Sequence, residues 1–122
     1  MLLAVFLGGC LGGLARYAVT LAWPAGAQGF PWATLAVNDS GAFALGLLVV
    51  VLAARPLWVR AFVGPGLLGA WTTFSAVMAS TDLLVAHGAP LVGITYLVAS
   101  VATGLLAVAA GVAAGRARIG AS

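Results

Sequence analysis

Four long apolar runs constrain the fold of this chain more than any other feature. They cover about residues 2–23, 32–54, 61–86 and 91–115, and each is close to the roughly 20 residues that a helix needs to cross the hydrocarbon core of a bilayer. Hydrophobic residues make up 64% of the 122-residue chain and charged residues only 6%, whereas water-soluble domains carry about 25% charged residues. The sequence therefore predicts an all-α membrane protein with four transmembrane helices in a single domain, residues 1–122.

The few charged residues are distributed asymmetrically around these runs. All five basic residues are arginines. Arg55, Arg60, Arg116 and Arg118 flank the spans on the side shared by both termini, whereas Arg16 falls within the first span. Because basic flanking residues are retained on the cytoplasmic side, we expect a multi-pass protein of the plasma membrane, surrounded by lipid, with both termini in the cytoplasm. The arginines form no basic patch, so nucleic acid is not an expected partner.

The third apolar run contains residues that interrupt helices. It includes Gly64-Pro65-Gly66 and continues into the polar and aromatic stretch of residues 71–75. Backbone that is not helical inside a bilayer must be satisfied by protein or by an ion. We therefore predict that the third helix is broken near Gly66–Thr73, and that the break is a candidate ion site.

Small residues recur in the first span at the spacing typical of helix packing. Gly8 with Gly12, and Gly9 with Gly13, each form a Gly-x-x-x-Gly pair, which lets two helix backbones approach closely. Arg16 follows one turn later and is assigned to the same packing region. An arginine at this depth costs on the order of 3 kcal/mol unless its side chain reaches the interface or finds an acceptor.

The second span carries Asn38, Asp39 and Ser40 in the middle of apolar sequence. The amide of Asn38 can donate two hydrogen bonds to an anion, so Asn38 is a candidate pore residue, with hydrogen bonding between helices as the alternative. The carboxyl group of Asp39 would repel an anion at close range. We therefore expect Asp39 to face away from any anion path, to pair with an arginine, or to stay protonated.

Polar residues also form one stripe on the second span and one on the fourth, at the i, i+4, i+7 spacing of a helix face. The members are Thr34, Asn38 and Gly41 in the second span, and Tyr96, Ser100, Thr103 and Ala107 in the fourth. If the two helices face one another, the stripes would line a narrow polar track. The alternative is that these groups bond between helices or back to their own helix.

Three of these segments resemble the signatures of the Fluc or CrcB family of fluoride channels. They are Gly8-Gly9 to Arg16-Tyr17, Thr34 to Asn38 with Gly41, Phe43 and Gly46, and Gly69 to Ser75. Their order, their spacing and the four-span layout agree with the family, so the resemblance covers nearly the whole chain. It implies a channel rather than an enzyme, which exports fluoride passively and relieves fluoride toxicity.

The resemblance also implies two subunits assembled antiparallel, with two pores along their interface and a structural sodium ion at the centre. The sodium ligands would be the backbone carbonyls of Gly69 and Thr72. Asn38 would be the pore amide, and Phe74 would present its ring edge to fluoride. The hydroxyl donors of the pore would be Ser75, Thr34, Tyr96, Ser100 and Thr103.

Two positions depart from the family pattern. Val77 stands where the motif has a second phenylalanine, and Ser80 where many members carry a glutamate.

The arginine bias also fixes one orientation, so two copies of this chain could not readily pair antiparallel. We therefore expect a heterodimer with a related subunit of opposite orientation. The alternatives are a non-conducting subunit that supports its partner's pore and, with less support, a small multidrug exporter, a class that uses a first-span glutamate absent here.

Overall fold

The computed structural model describes residues 1–121, and its regular structure is helical throughout. The elements are α1 (Leu2–Ala22), α2 (Trp32–Val51), α3 (Leu57–Ala61), a π-helical segment (Phe62–Leu68), α4 (Gly69–Trp71), α5 (Phe74–Ala86) and α6 (Pro90–Gly120). Four stretches are long and apolar enough to cross a membrane, namely Leu2–Ala22, Trp32–Val51, Leu57–Ala86 and Pro90–Gly120. The predicted all-α fold with four spans is therefore confirmed.

The span boundaries differ from the expected ones by a few residues. The second span already ends at Val51, and the third begins at Leu57, directly after Pro56. Proline has no backbone N–H and a fixed φ, so it is suited to the start of a helix. The last helix continues to Gly120, because hydropathy marks the edge of the membrane and not the end of a helix.

The third span changes its winding twice. Pro65 lies inside the π-helical segment, where a wider turn accommodates a residue that cannot donate a helical hydrogen bond. At Thr72 (φ −80°, ψ 148°) and Thr73 (φ −154°, ψ 117°) the backbone is extended. The predicted break is thus present at these two residues, while Gly66, at its expected start, remains helical.

Helix α1 packs against the π-helical segment and α4. Gly8 and Gly12 are buried there, and a methyl group on Gly12 would collide with the carbonyl oxygen of Leu67. A methyl group on Gly9 or Gly13, in contrast, would have nothing within 4 Å. Of the two predicted Gly-x-x-x-Gly pairs, the Gly8–Gly12 pair therefore packs within the chain, and the Gly9–Gly13 pair lies on an open face.

Helix α2 lies along α6, and α5 packs on α6 as well. Close approach of α2 and α6 again depends on glycine. A methyl group on Gly46 would collide with Val108 O, and one on Gly111 with Phe43 O. The chain thus contains two tightly packed helix pairs, α1 with the third span and α2 with α6, and the break lies where the pairs meet.

Candidate functional site

The side chain of Asn38 binds the backbone of the break at two points. Its Oδ1 accepts a hydrogen bond from Thr73 N at 2.7 Å, and its Nδ2 donates to Thr73 O at 3.0 Å. These bonds fix the orientation of the amide, because exchanging its oxygen and nitrogen would set donor against donor and acceptor against acceptor. The Nδ2 group has two hydrogens, so one N–H is left for a further acceptor.

The same contacts redirect the donors that would otherwise satisfy two helical carbonyls. In an unbroken helix Thr73 N would donate to Gly69 O, and Ala76 N would donate to Thr72 O. In this protein Thr73 N donates to Asn38 Oδ1, and Ala76 N donates to Thr73 Oγ1 at 3.2 Å. The carbonyls of Gly69 and Thr72, which are the two predicted sodium ligands, are therefore released from their helical partners.

Two further residues of α2 hold the break in place. A methyl group on Gly41 would collide with Thr72 Cγ2 and would lie 2.8 Å from Trp71 Cδ1, so the absence of a side chain lets the break lie against α2. The indole Nε1 of Trp71 donates to Ser40 Oγ at 3.0 Å. Together with Asn38, these contacts fix the extended backbone to one face of α2.

A groove of about 330 Å³ opens beside the break, between α2, the start of α5 and α6. Three of the predicted pore residues line it, Asn38, Phe74 and Ser100. The ring of Phe74 is 64% exposed, whereas Val77, which also borders the groove, is only 1% exposed. Val77 therefore lies at the base of the groove, where its side chain is packed into the protomer.

A second groove, of about 270 Å³, reaches the break from the side of α1. Arg16, Thr20, Thr34 and Thr73 are among the residues that line it. Arg16 is half-buried, so its guanidinium group adds positive charge to a groove rich in hydroxyl groups. A cation in a partly desolvated groove attracts anions more strongly than it would in water.

Buried hydroxyl groups meet between α2, α5 and α6. The fully buried Tyr96 directs its hydroxyl group toward those of Ser100, Thr34 and Ser80, and Phe30 packs edge-on against its ring at 5.3 Å. Within residues 1–121, however, neither Tyr96 Oη nor Ser100 Oγ has a hydrogen-bond partner. An unsatisfied buried polar group costs about 1–3 kcal/mol, so this cluster is suited to a bound water molecule or anion.

The predicted pore residue Ser75 lies outside both grooves and the cluster. It is exposed, and its Oγ is 3.1 Å from Thr73 Oγ1. Thr73 itself was not predicted as a site residue, although it supplies both backbone groups to Asn38 and caps α5. The position of a threonine just before an apolar helix is a typical N-cap signal, so the sequence does contain the information needed to find it.

The polar stripe of α6 is divided between two neighbourhoods. Tyr96 and Ser100 belong to the buried cluster, whereas Thr103 lies against Asp39 of α2. Thr103 Oγ1 lies 3.0 Å from Asp39 Oδ1 and 2.8 Å from Ala99 O, and its single hydrogen serves these two acceptors. Within the described residues, the side chain of Asp39 therefore contacts a threonine and makes no ion pair with an arginine.

Comparison with known proteins identifies the family. The model of the family described as CrcB-like protein, Camphor Resistance (CrcB), matches residues 3–112. The chain is 48% identical to the fluoride-specific ion channel FluC 1 of Cutibacterium acnes, over 84% of this chain and 76% of the relative. It is 48% identical to FluC 3 of Streptomyces avermitilis, over 95% of this chain but 58% of the relative. It is 41% identical to FluC 2 of Nocardia farcinica, over 100% of this chain and 89% of the relative. The broken third span and the bound Asn38 amide thus occur in a chain that belongs to the CrcB family.

Proposed function

We propose that this chain is a subunit of a channel that exports fluoride passively and so relieves fluoride toxicity. Its four long apolar helices make it a multi-pass membrane protein. Its relatives are named fluoride-specific ion channels, which favours a channel over an enzyme and over a multidrug exporter. The observation that carries the proposal is the arrangement of anion donors around the break in the third span.

A channel for a small anion must replace a tightly held hydration shell with fixed donors. In this protomer the available donors are one N–H of Asn38 and the hydroxyl groups of Tyr96 and Ser100. The exposed ring of Phe74 can present its positive edge in the same groove as Asn38. Arg16 supplies a positive potential that attracts anions to the break.

Replacement of Tyr96 by phenylalanine tests this role of the hydroxyl cluster. The hydroxyl group lies among those of Ser100, Thr34 and Ser80 but makes no hydrogen bond of good geometry within residues 1–121, so its loss should change the thermal stability little. If the hydroxyl group binds fluoride, efflux from liposomes should fall at least tenfold, since one charge-assisted hydrogen bond is worth about 1.5–3 kcal/mol. Thr81→Val, which removes a buried hydroxyl group already bonded to Val77 O, is the matched control with unchanged efflux. Equal efflux from Tyr96→Phe and wild type would contradict the assignment.

The break is also suited to a sodium ion, which would serve a structural role between two subunits. The carbonyls of Gly69 and Thr72 have lost their helical donors to Asn38 and Thr73, and carbonyl oxygens are ligands that a hard cation accepts. Bound sodium would neutralise these dipoles and stabilise the extended backbone. A protein prepared without sodium should therefore unfold at a lower temperature than one in sodium, and equal unfolding temperatures in sodium and in choline would argue against this site.

We further propose an antiparallel partner of the same family. Helix α5 covers α6 on one side of the break. On the other side, an apolar groove of about 530 Å³ runs between α2 and the π-helical segment, from Gly69 to Met1 and Arg60. We propose that an apolar helix of the partner covers this groove in the assembled channel. With the arginines of this chain on the cytoplasmic side, its termini would be cytoplasmic and the partner's would not.

The partner is expected to be a paralogue. Because the flanking arginines favour one orientation, a second subunit with the opposite charge bias would insert the other way up. Streptomyces avermitilis has FluC 3 and also a second relative of this chain, its own FluC 2, so one genome can encode more than one such protein. Cysteines introduced at the two termini test this orientation. If a membrane-impermeant reagent applied outside the cell labels them, the termini are not cytoplasmic and the proposed orientation is contradicted.

Filling the apolar groove should prevent the partner from binding. Gly64 lines the groove, and a Cβ atom there would have nothing within 4 Å, so Gly64→Leu should leave the chain folded, extend into the groove and weaken association with the partner at least tenfold. Ala109→Leu is the matched control, because Ala109 is exposed and lies two residues from the buried Gly111, on the opposite face of α6. Cross-linking yield in vesicles measures the effect, and equal yields for the two variants would exclude this docking groove.

One observation favours the non-conducting subunit as a second candidate. Val77 occupies the place of an aromatic pore residue and is packed into the protomer, so this subunit offers one aromatic edge fewer than the family motif. In a supporting subunit Phe74 would have no role in conduction. Unchanged fluoride flux when Phe74→Ala is combined with a wild-type partner would favour this candidate, whereas a loss of flux would favour a conducting subunit.

A further inference from the structure

Arginines that are far apart in the sequence are brought to one end of the structure. Arg55 follows the end of α2, and Arg116 and Arg118 lie in the last turns of α6. A Cβ atom on Gly115 would lie 2.9 Å from Val50 Cβ, so the ends of the two helices are at the same level. The fold therefore gathers three arginines at one end of the α2–α6 pair, although the sequence itself shows no basic run.

No acidic side chain of the protein balances these arginines. All three are exposed, and within residues 1–121 none of them makes an ion pair or a side-chain hydrogen bond. The chain has two acidic side chains. Asp39 lies in the middle of α2, and Asp82 lies near the far end of α5, across the membrane from the arginines. The three guanidinium groups are therefore available to an anion from outside the chain.

The short helix α3 lies at the membrane surface at this end of the protein. It follows Arg55 and Pro56, and its Trp58 is 62% exposed. Tryptophan is enriched at the level of the lipid head groups, where its ring has one apolar and one polar side. Arg60 of the same helix borders the apolar groove that we assign to the partner, so it is not counted in this surface. Trp58 therefore places Arg55, three residues away, at the depth of lipid phosphates.

From this arrangement we propose that the surface formed by Arg55, Arg116 and Arg118 binds the head groups of anionic phospholipids. A guanidinium group always carries its charge and donates two parallel N–H bonds to a phosphate. A zwitterionic lipid has the same phosphate, but its own cation competes for it. Each arginine at an anionic membrane surface strengthens binding about fivefold, so three should give at least a tenfold preference for anionic lipid. This contact depends on neither fluoride conduction nor the partner subunit.

The opposite end of the protein provides an internal control. Trp23 is 52% exposed there, much like Trp58 at the basic end. The two connections at that end, residues 23–31 and 87–89, contain no arginine, lysine or acidic residue. The two tryptophans thus have similar exposure, and the arginines accompany only one of them. Anionic and zwitterionic lipids should therefore be equally frequent beside Trp23.

Quenching of tryptophan fluorescence by brominated lipid tests the proposal in the full chain. The vesicles mix phosphatidylcholine with phosphatidylglycerol, and one of the two lipids is brominated near its head group. The signal of each tryptophan is the difference between wild type and Trp58→Phe or Trp23→Phe. Phosphatidylglycerol should be preferred about fivefold at Trp58, and within twofold of no preference at Trp23. Equal quenching of Trp58 by both lipids would mean that water or a protein partner faces the arginines, and would overturn the proposal.

Native mass spectrometry of the extracted protein tests the three arginines together. With equal amounts of the two lipids supplied, the triple variant Arg55→Gln, Arg116→Gln and Arg118→Gln should retain at least tenfold less phosphatidylglycerol than wild type. The corresponding triple lysine variant keeps the charge and should stay within about threefold of wild type. Unchanged lipid retention in the glutamine variant would contradict the assignment. Displacement of the lipid by excess inorganic phosphate would show a site for free phosphate and would also overturn it.

Discussion

Replacing Asn38 with alanine is expected to reduce fluoride flux at least 100-fold and to lower the stability of the assembled protein. The amide satisfies both Thr73 N and Thr73 O, and in the membrane neither group finds water in its place. Each orphaned group costs about 1–3 kcal/mol. The variant also removes the N–H that we assign to fluoride, so conduction and stability should fall together. Liposome efflux and thermal unfolding of the same preparation measure the two effects.

Two other variants separate the structural role of Asn38 from its role in the pore. Asn38→Asp keeps an acceptor for Thr73 N but loses the N–H donors and adds negative charge, so flux should be lost while part of the stability is retained. Ser40→Ala removes an exposed hydroxyl group that accepts from Trp71 and donates to Val37 O but leaves both bonds of Asn38 in place, so both quantities should fall far less than in Asn38→Ala. Flux of Asn38→Ala close to that of wild type would exclude the amide from the anion path.

Replacing Gly12 with valine should prevent correct folding, whereas the same change at the adjacent Gly13 should be tolerated. A Cβ atom on Gly12 would overlap the backbone oxygen of Leu67, so α1 would have to move away from the π-helical segment. Overpacking against rigid backbone costs about 1–3 kcal/mol or more, and displacement of α1 would also disturb the groove of Arg16. A Cβ atom on Gly13 has nothing within 4 Å.

The pair is measured by the fraction of monodisperse protein after extraction into detergent and by the unfolding temperature. We expect little or no folded Gly12→Val and nearly normal amounts of Gly13→Val. Similar losses for both variants would mean that the open face of α1 is also packed in the assembled protein, while similar yields close to wild type would contradict the close contact between α1 and the third span.

The four spans and the break could be predicted because they depend on local properties of the chain. Long apolar runs and the Gly64-Pro65-Gly66 segment are visible in the sequence. The sequence does not show which glycines of α1 pack against the third span, since the Gly8–Gly12 and Gly9–Gly13 pairs have the same spacing. Only the position of the third span shows which pair is packed.

The sequence predicted several residues of the candidate site, but it did not predict the hydrogen bonds that these residues make. Asn38 was expected at the anion path, but its bonds to a residue 35 positions away depend on the tertiary structure. The contacts of the α6 stripe also depend on the tertiary structure. Thr103 lies against Asp39, whereas Tyr96 and Ser100 lie in the buried hydroxyl cluster, and helical spacing alone does not show which neighbour each residue meets. Position 77 was recognised as a departure from the family pattern, whereas its depth at the base of a groove became apparent only when α5 was seen against α6.

Fluoride efflux from liposomes tests the central claim most directly. Vesicles loaded with potassium fluoride, or with potassium chloride as the control, should contain this chain alone, a related subunit of opposite charge bias alone, or both. We predict rapid fluoride release with retention of chloride when both are present, and little release from this chain alone. Robust release from the chain alone would reject the need for a partner, and the absence of fluoride release in every combination would contradict the assignment as a fluoride channel subunit.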